Sequence, residues 1–258
     1  MINLNKSICT NCNRCIKMCP FGVLREIDGY PALHHEKNCL DCYHCVAVCP
    51  TGALTSGDTT CQLVDQSPLN ETFQKNLALL VKTRRSIRHY QEKPVPREVV
   101  EEVLEIVKMC PTAKNQQASK WVVVSGRDKT DQIMDMVLRW LEETQSSPEI
   151  KKYYEKGRNV VTLKAPSLLF VYGNKNVIAP QIDSMIALTT AELLLQAQGI
   201  GTCHAGYLRR FSNGSAEIRK FLGIPEDHEI FGVLTMGYAD DESYLTIPER
   251  NHPPVHWI

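Results

Sequence analysis

The sequence predicts an α+β fold, and three observations support that prediction. Several helical stretches cluster between only a few strands, which does not match a regular alternation of strand and helix. Cysteines in two copies of one motif dominate the first 58 residues. No G-x-G-x-x-G follows a strand and no G-x-x-x-x-G-K-[ST] is present, so neither a nicotinamide-binding Rossmann domain nor a P-loop is expected.

Eight of the eleven cysteines form the repeated motif C-x2-C-x2-C-x3-C-P, which is typical of bacterial [4Fe–4S] proteins. In such pairs of motifs the fourth cysteine ligates the other cluster. We therefore expect two clusters. The first is assigned to Cys9, Cys12, Cys15 and Cys49, and the second to Cys39, Cys42, Cys45 and Cys19.

The two motifs belong to a duplicated unit, because residues 21–24 align with residues 51–54 at the same shift of 30. Residues 2–58 closely resemble a two-[4Fe–4S] bacterial ferredoxin. Structural zinc also uses paired C-x2-C motifs, but its sites rarely place four cysteines in one tight run. Disulfides need an oxidising compartment, which nothing in the sequence suggests. We interpret His44 as an exposed spacer rather than a ligand.

The length of 258 residues predicts two domains. We place a ferredoxin-like domain at 1–58, a linker at 59–69 and a second domain at 70–258. The linker prediction comes from residues 56–68, which are rich in Ser, Thr, Gly and Asp. Lys plus Arg and Asp plus Glu both number 29, which gives no support to nucleic-acid binding.

No signal peptide and no membrane-spanning run is visible, so we expect a soluble cytoplasmic protein with no membrane association. Exposed clusters of this kind imply the reducing, low-oxygen cytosol of an anaerobe.

Apolar residues at helical spacing predict the helices of the second domain. They indicate helices from Asn70 onward, from Pro96 to a stop at Pro111, and over residues 133–141, 182–198 and 216–222. Pro96 suits the first position of its helix, and Gly199 suits the end of the long apolar helix 182–198. That helix is apolar on most sides and is therefore expected at the centre or at an interface.

Short apolar runs predict the strands 121–124, 168–172 and 231–237. Residues 199–206 form a glycine-rich strand entry. The chain turns polar and proline-rich after Tyr238, which suggests an extended tail.

Residues 83–88 place three arginines and a serine where a helix passes into an extended stretch. Arginine forks bind phosphate bidentately, so this run can form an anion cradle. The alternative is a solvated basic helix end, favoured by the helix dipole.

Three motifs occur in a fixed order: R-R-S-x-R, then P-x-x-x-N-x-Q, then G-I-G-T-x-x-x-G after a long helix. In this order they resemble the FMN-dependent nitroreductase superfamily over roughly residues 76–250. The resemblance implies a nitroreductase-like FMN-binding fold after the small ferredoxin-like domain.

The resemblance also implies roles for individual residues. Arg84, Arg85 and Ser86 match the segment that holds the FMN phosphate and ribityl chain, and Arg88 matches the basic position near flavin N1 and O2. The other implied contacts are Asn115 at the pyrimidine edge with Gln117 beside it, the backbone of His204, Ala205 and Gly206 near N5, and Arg250 at the phosphate.

Two departures from the family pattern bear on this pocket. Ala118, Ser119 and Lys120 intervene before Trp121, where several family members have proline and then tryptophan. Glu249 stands where many members have a second basic residue. His204 keeps two roles open, as a proton donor to substrate or flavin or as a packed wall residue, and no other catalytic residue is assigned.

The predicted function is that of an iron–sulfur flavoprotein oxidoreductase. Electrons would pass from a low-potential donor, such as an external ferredoxin, through two [4Fe–4S] clusters to FMN, which would reduce a small electron-poor substrate. The resemblance also implies a homodimer. Two alternatives stay open: an electron-transfer protein that serves a partner protein without a substrate of its own, and a domain that binds or remodels flavin itself.

Overall fold

The computed structural model describes residues 2–57, 64–240 and 244–258. The chain divides into two compact units. One comprises Met1–Leu69 with Lys114–Gln116, and the other comprises Asn70–Ala113 with Gln117–Ile258. Residues 58–63, which include Cys61 and half of the predicted linker, lie outside the described residues. Across the described residues, no helix combines the length and apolar composition needed to cross a bilayer.

In its described residues, the first unit contains two antiparallel strand pairs, two short α-helices and one 3-10 turn (Glu36–Asn38). Its elements are β1 (Ile2–Leu4), α1 (Arg14–Met18), β2 (Leu24–Ile27), β3 (Tyr30–Leu33), α2 (His44–Ala47) and β4 (Leu54–Ser56). Strand β1 pairs with β4, and β2 pairs with β3. Ser56 of β4 pairs with Ile2 of β1, so it belongs to this unit.

The 30-residue repeat is visible in the backbone angles of the first unit. Asn11 and Asn13 have φ values of 52° and 56°, and the equivalent Asp41 and Tyr43 have 47° and 59°. These left-handed residues lie between the cysteines and curl each motif into a tight loop. Each loop then enters a short helix, so its cysteines are held by local geometry.

The second unit begins with α3 (Glu71–Thr83), and the Asn70 side chain caps this helix by accepting from Phe73 N at 3.2 Å. Helix α4 starts one residue after Pro96. The remaining elements are α4 (Arg97–Val107), β5 (Lys120–Ser125), α5 (Arg127–Thr144), α6 (Pro148–Glu155), β6 (Ser167–Asn174), α7 (Pro180–Ala197), β7 (Gly201–His204), α8 (Gly206–Gly214), α9 (Ala216–Phe221) and β8 (His228–Gly237).

The central sheet has the order β5-β6-β8-β7, and every pairing in it is antiparallel. Alternate residues of β6 enter two different cores. Leu168 and Phe170 pack in one core, and Leu169 and Val171 pack in the other. Helices therefore cover both faces of the sheet, and the predicted α+β class is confirmed.

Helix α7 lies in the second of these cores and ends as the sequence predicts. Gly199 follows it with φ of 77° and donates its N–H to Gln196 O at 3.0 Å. Strand β7 begins two residues later, so the long helix delivers the chain directly to the edge of the sheet.

Candidate functional site

The first unit contains two cavities, each lined by four cysteines. Cys9, Cys12, Cys15 and Cys49 line one cavity. Cys19, Cys39, Cys42 and Cys45 line the other. Each cavity thus combines three cysteines of one motif with the fourth of the other motif.

Four cysteine sulfurs around one cavity match the four-thiolate ligation of a [4Fe–4S] cluster, so the donor set fits that group. Within the described ranges, no His, Cys, Asp and Glu side chains are grouped as ligands of a single metal ion. His44 is exposed at the start of α2.

Backbone N–H groups approach the sulfurs of both cavities. Val23 N donates to Cys19 Sγ at 3.4 Å. The backbone N–H of Arg14 is the main cause that lowers the pKa of the Cys12 thiol. Burial raises the pKa of the Cys45 thiol to about 11, and the Val46 N–H offsets part of that rise. Such N–H···S bonds are among the features that set the potential of a cluster.

In the second unit, the R-R-S-x-R and G-I-G-T motifs lie side by side. Ser86 forms a parallel bridge with Thr202, and Ile87 N donates to Thr202 O at 2.9 Å. A Cβ on Gly201 would lie 2.8 Å from Ile87 Cγ1, so only glycine permits this approach. A Cβ on Gly206 would meet nothing within 4 Å.

Glu192 contacts residues of both motifs, and it was not predicted as a site residue from the sequence. It is 4% exposed on α7. It accepts from Arg84 Nη1 at 3.2 Å and from Thr202 Oγ1 at 3.4 Å, and its Oε2 lies 3.3 Å from His204 Nε2. A buried carboxylate needs a polar or charged contact, so an acidic residue within an apolar helix already indicated such a contact in the sequence.

Glu192 is ionised by its surroundings. Burial alone would raise the pKa of this carboxyl, but the hydrogen bond and charge of His204 and the charge of Arg84 outweigh burial and hold the pKa below its usual value. The carboxylate therefore orients His204 and holds the first arginine of the run.

Ten residues line a cavity of about 460 Å³ beside these motifs, which we call the arginine-bearing cavity. They are Arg88, Val160, Val161, Leu163, Cys203, His204, Ala205, Gly206, Tyr207 and Arg210. The cavity therefore gathers the last arginine of the run and the predicted stretch His204–Gly206.

Arg85 is held by backbone carbonyls. Its Nη1 donates to Lys82 O and Arg84 O, both at 2.8 Å, and its Nη2 donates to Thr246 O at 3.4 Å. Thr246 belongs to the C-terminal segment 244–258, which forms no helix or strand and includes the exposed Arg250. The C-terminal segment therefore contacts Arg85 through the backbone oxygen of Thr246.

The asparagine loop is divided between the two units. Lys114–Gln116 group with the first unit, where Asn115 Nδ2 donates to Asp41 O at 2.9 Å. Gln117 N donates to Thr112 Oγ1 at 3.0 Å, and Gln117 lines a second cavity of about 440 Å³ with Trp121. Ala113 N is fixed by the buried Asp183 carboxylate at 3.0 and 3.1 Å.

The two four-cysteine cavities are typical of an iron–sulfur protein. Residues 81–238 match the Nitroreductase family, and residues 8–54 match the 4Fe-4S dicluster domain. The first match covers more than half of the chain. The chain therefore belongs to the nitroreductase family and carries an N-terminal 4Fe-4S dicluster domain, as the sequence motifs predicted.

Three similar proteins illustrate this relationship. An Archaeoglobus fulgidus protein named NADH dehydrogenase/NAD(P)H nitroreductase is 26% identical over 67% of this chain and 92% of its own length. A 4-nitrobenzoate reductase from Nocardioides is 24% identical over 68% of this chain and 85% of its own. The crystal structure of a Bacteroides fragilis nitroreductase with bound FMN superposes with a TM-score of 0.62 at 19% identity, over 73% of this chain and 99% of that one.

Proposed function

We propose that this protein is an iron–sulfur flavoprotein oxidoreductase that reduces a small electron-poor substrate such as a nitroaromatic or a quinone. Two [4Fe–4S] clusters would pass electrons from a low-potential donor to FMN. The observation that carries the proposal is the pair of four-cysteine cavities within a nitroreductase-family chain. The FMN bound to the Bacteroides fragilis neighbour supports the flavin.

In this proposal the cysteines divide between the clusters as their cavities divide them. Cys9, Cys12, Cys15 and Cys49 hold one cluster, and Cys19, Cys39, Cys42 and Cys45 hold the other. The clusters supply one-electron transfer at low potential. The chain itself contributes backbone N–H groups such as that of Val23, which stabilise negative charge on the sulfurs.

The flavin would supply the conversion of single electrons to a hydride. Arg84, Arg85 and Ser86 would bind its phosphate and ribityl chain. Arg88 would stabilise negative charge on the ring, since no carboxylate among the described residues pairs with it. The other proposed contacts are His204, Ala205, Gly206, Asn115, Gln117 and Arg250.

The open space beside Gly206 supports this assignment, because a ligand can approach the backbone there. The cavity of about 460 Å³ falls within the range of roughly 300–1,000 Å³ of small-molecule sites.

The protein would act as a homodimer, and α7 provides a suitable interface. Ile182 is 64% exposed and Ile186 is 38% exposed on the face that lines an open groove with Leu193. Large exposed apolar side chains in a row are typical of subunit contacts. Light scattering should give about twice the chain mass of 29.2 kDa, and Ile182→Asp should shift the mass toward the monomer.

The electron donor is the feature that separates this protein from a simple NAD(P)H-dependent reductase. We expect reduced ferredoxin or dithionite to support anaerobic reduction of an electron-poor acceptor. Cys49→Ser should lower the ferredoxin-dependent rate by at least about tenfold, because it removes a predicted cluster ligand. Cys110→Ser is the control, since Cys110 lines neither cysteine cavity.

The proposed electron route would be contradicted by two results together. The Cys49→Ser variant would turn over with NAD(P)H as fast as the unaltered protein does, and that rate would equal the rate with reduced ferredoxin.

A further inference from the structure

The 460 Å³ cavity has walls of two kinds. Arg88, His204 and Arg210 line it as basic side chains, whereas Val160, Val161, Leu163 and Tyr207 supply apolar and aromatic surface. No Asp or Glu among the described residues lines it. Glu192, which does not line the cavity, accepts from Arg84 and has its Oε2 at 3.3 Å from His204 Nε2. The cavity therefore combines basic side chains with apolar and aromatic surface.

Arg210 is held in place within this wall. Its Nη2 donates to Ser147 Oγ at 2.6 Å. Its guanidinium carbon lies 4.9 Å from the ring centroid of Phe211 and 5.6 Å from that of Tyr207. Stacked arginines keep their donor edge free for a planar acceptor. A guanidinium has five N–H donors, so one bond to Ser147 leaves several for a ligand.

Arg210 also lacks a carboxylate partner among the described residues, in contrast to its neighbours. Arg209, one residue earlier on α8, lies 3.6 Å from Glu229 and donates to Ile230 O. Arg84 pairs with Glu192. Two uncompensated guanidinium groups on one cavity, those of Arg88 and Arg210, repel each other unless an anion lies between or beside them. The proposed flavin would provide the negative charge beside Arg88. Arg210 would still need an anionic partner.

We propose that Arg210 binds a carboxylate of the substrate, whose aromatic ring packs against Tyr207 and the apolar wall. The site would then select electron-poor aromatic anions over neutral compounds of the same shape. This inference rests on the proposed function, because it names the substrate class of that same cavity. It adds Arg210 as the residue that sets specificity.

The test compares 4-nitrobenzoate with the neutral 4-nitrobenzamide, using dithionite as the reductant so that no dinucleotide is present. In Arg210→Gln we expect KM for 4-nitrobenzoate to rise about 10- to 100-fold, since a charge-assisted pair is lost. KM for 4-nitrobenzamide should change less than about twofold. Arg210→Lys should recover part of the loss, because it restores the charge without the fork.

Arg209→Gln is the matched control. It removes the same charge one residue away and should leave the ratio of the two KM values unchanged. Flavin content and the thermal unfolding midpoint of each variant exclude a folding defect. Calorimetric titration with benzoate, which is not reduced, gives a second measurement that does not depend on turnover. Benzoate should bind the Arg210→Gln variant at least about tenfold more weakly.

The proposal is overturned if Arg210→Gln changes both acceptors equally, or if benzoate binds that variant as tightly as the unaltered protein. In a separate assay with NAD(P)H as the reductant, a rise in KM for NAD(P)H without a rise in KM for 4-nitrobenzoate would assign Arg210 to a dinucleotide phosphate and also overturn the proposal. If the protein reduces no acceptor at all, the proposed function fails, and the benzoate titration still decides whether Arg210 binds carboxylates.

Discussion

At the scale of single residues, a buried carboxylate organises the arginine-bearing cavity. Glu192 is almost fully buried, and its partners Arg84, Thr202 and His204 come from both motifs of the family pattern. A charge in that position is stable only because it is paired and hydrogen-bonded. Removing it would leave Arg84 and His204 without their common hydrogen-bond partner.

Glu192→Gln should destabilise the second unit by about 1–3 kcal/mol at pH 7, because bonds to a charged group are lost. The pKa of Glu192 is lowered in the folded protein, so its contribution is complete above the unfolded pKa of about 4.3. It disappears as the pH falls through the folded value. The variant should therefore lose less stability than the unaltered protein on acidification below about pH 5.

Urea unfolding followed by tryptophan fluorescence measures this effect, because Trp121, Trp140 and Trp257 all lie in the second unit. Glu101→Gln is the control, since Glu101 is 58% exposed in a surface pair with Arg97. If the free energy of unfolding falls with pH in the same way for Glu192→Gln and for the unaltered protein, Glu192 does not cause the loss of stability in acid.

Sequence reasoning found the arginines of this site but not the acid that holds them. Arg84, Arg85, Ser86 and Arg88 stand together in the chain, so a local pattern reveals them. Glu192 is 108 residues from Arg84, and their contact depends on how α7 packs against the extended stretch. A single-sequence pattern carries no record of such a long-range pair.

At the scale of elements, the pairing of residues 86–87 with β7 explains why the G-I-G-T-x-x-x-G motif needs Gly201. The space at Gly201 is occupied by Ile87, while the space at Gly206 is open. Gly201 and Gly206 therefore serve different purposes: Gly201 allows two chain segments to touch, and Gly206 leaves room beside the cavity.

Two alanine variants separate these purposes. Gly201→Ala should cost about 1–3 kcal/mol, because its Cβ would lie within 3.0 Å of three Ile87 atoms. Gly206→Ala should leave stability unchanged or slightly higher, because alanine favours the helix α8. It should nevertheless weaken FMN binding, which fluorescence titration of the apoprotein measures. Normal FMN affinity in Gly206→Ala would contradict the proposed flavin position.

Helices with continuous apolar periodicity, such as α3, α4 and α7, were predictable, whereas α6 and α8 were missed. Helix α8 starts at Gly206 and ends at Gly214, and glycine normally argues against a helix. Its formation depends on Leu208 and Phe211, which are completely buried against the core. Tertiary packing thus overrides local propensity at this element.

At the scale of the whole molecule, the chain combines two kinds of site that differ in how they can be predicted. The cysteine cavities follow from spacing, because each motif is a local loop repeated after 30 residues with the same left-handed backbone angles. The arginine-bearing cavity follows from the sheet, the long helix and the edge strand β7, which are far apart in the sequence. Its lining residues Val160, Val161, Leu163 and Arg210 had no signal in the chain.

The central claim is that two four-iron clusters and one flavin reside in a single polypeptide. Its most direct test is anaerobic reductive titration of the purified protein, followed by absorbance and combined with iron and flavin analysis. We predict about eight iron atoms, one released FMN and about four electrons per chain, since each cluster takes one electron and the flavin takes two. A preparation with little iron, or one that takes up only the two electrons of a flavin, would contradict this account.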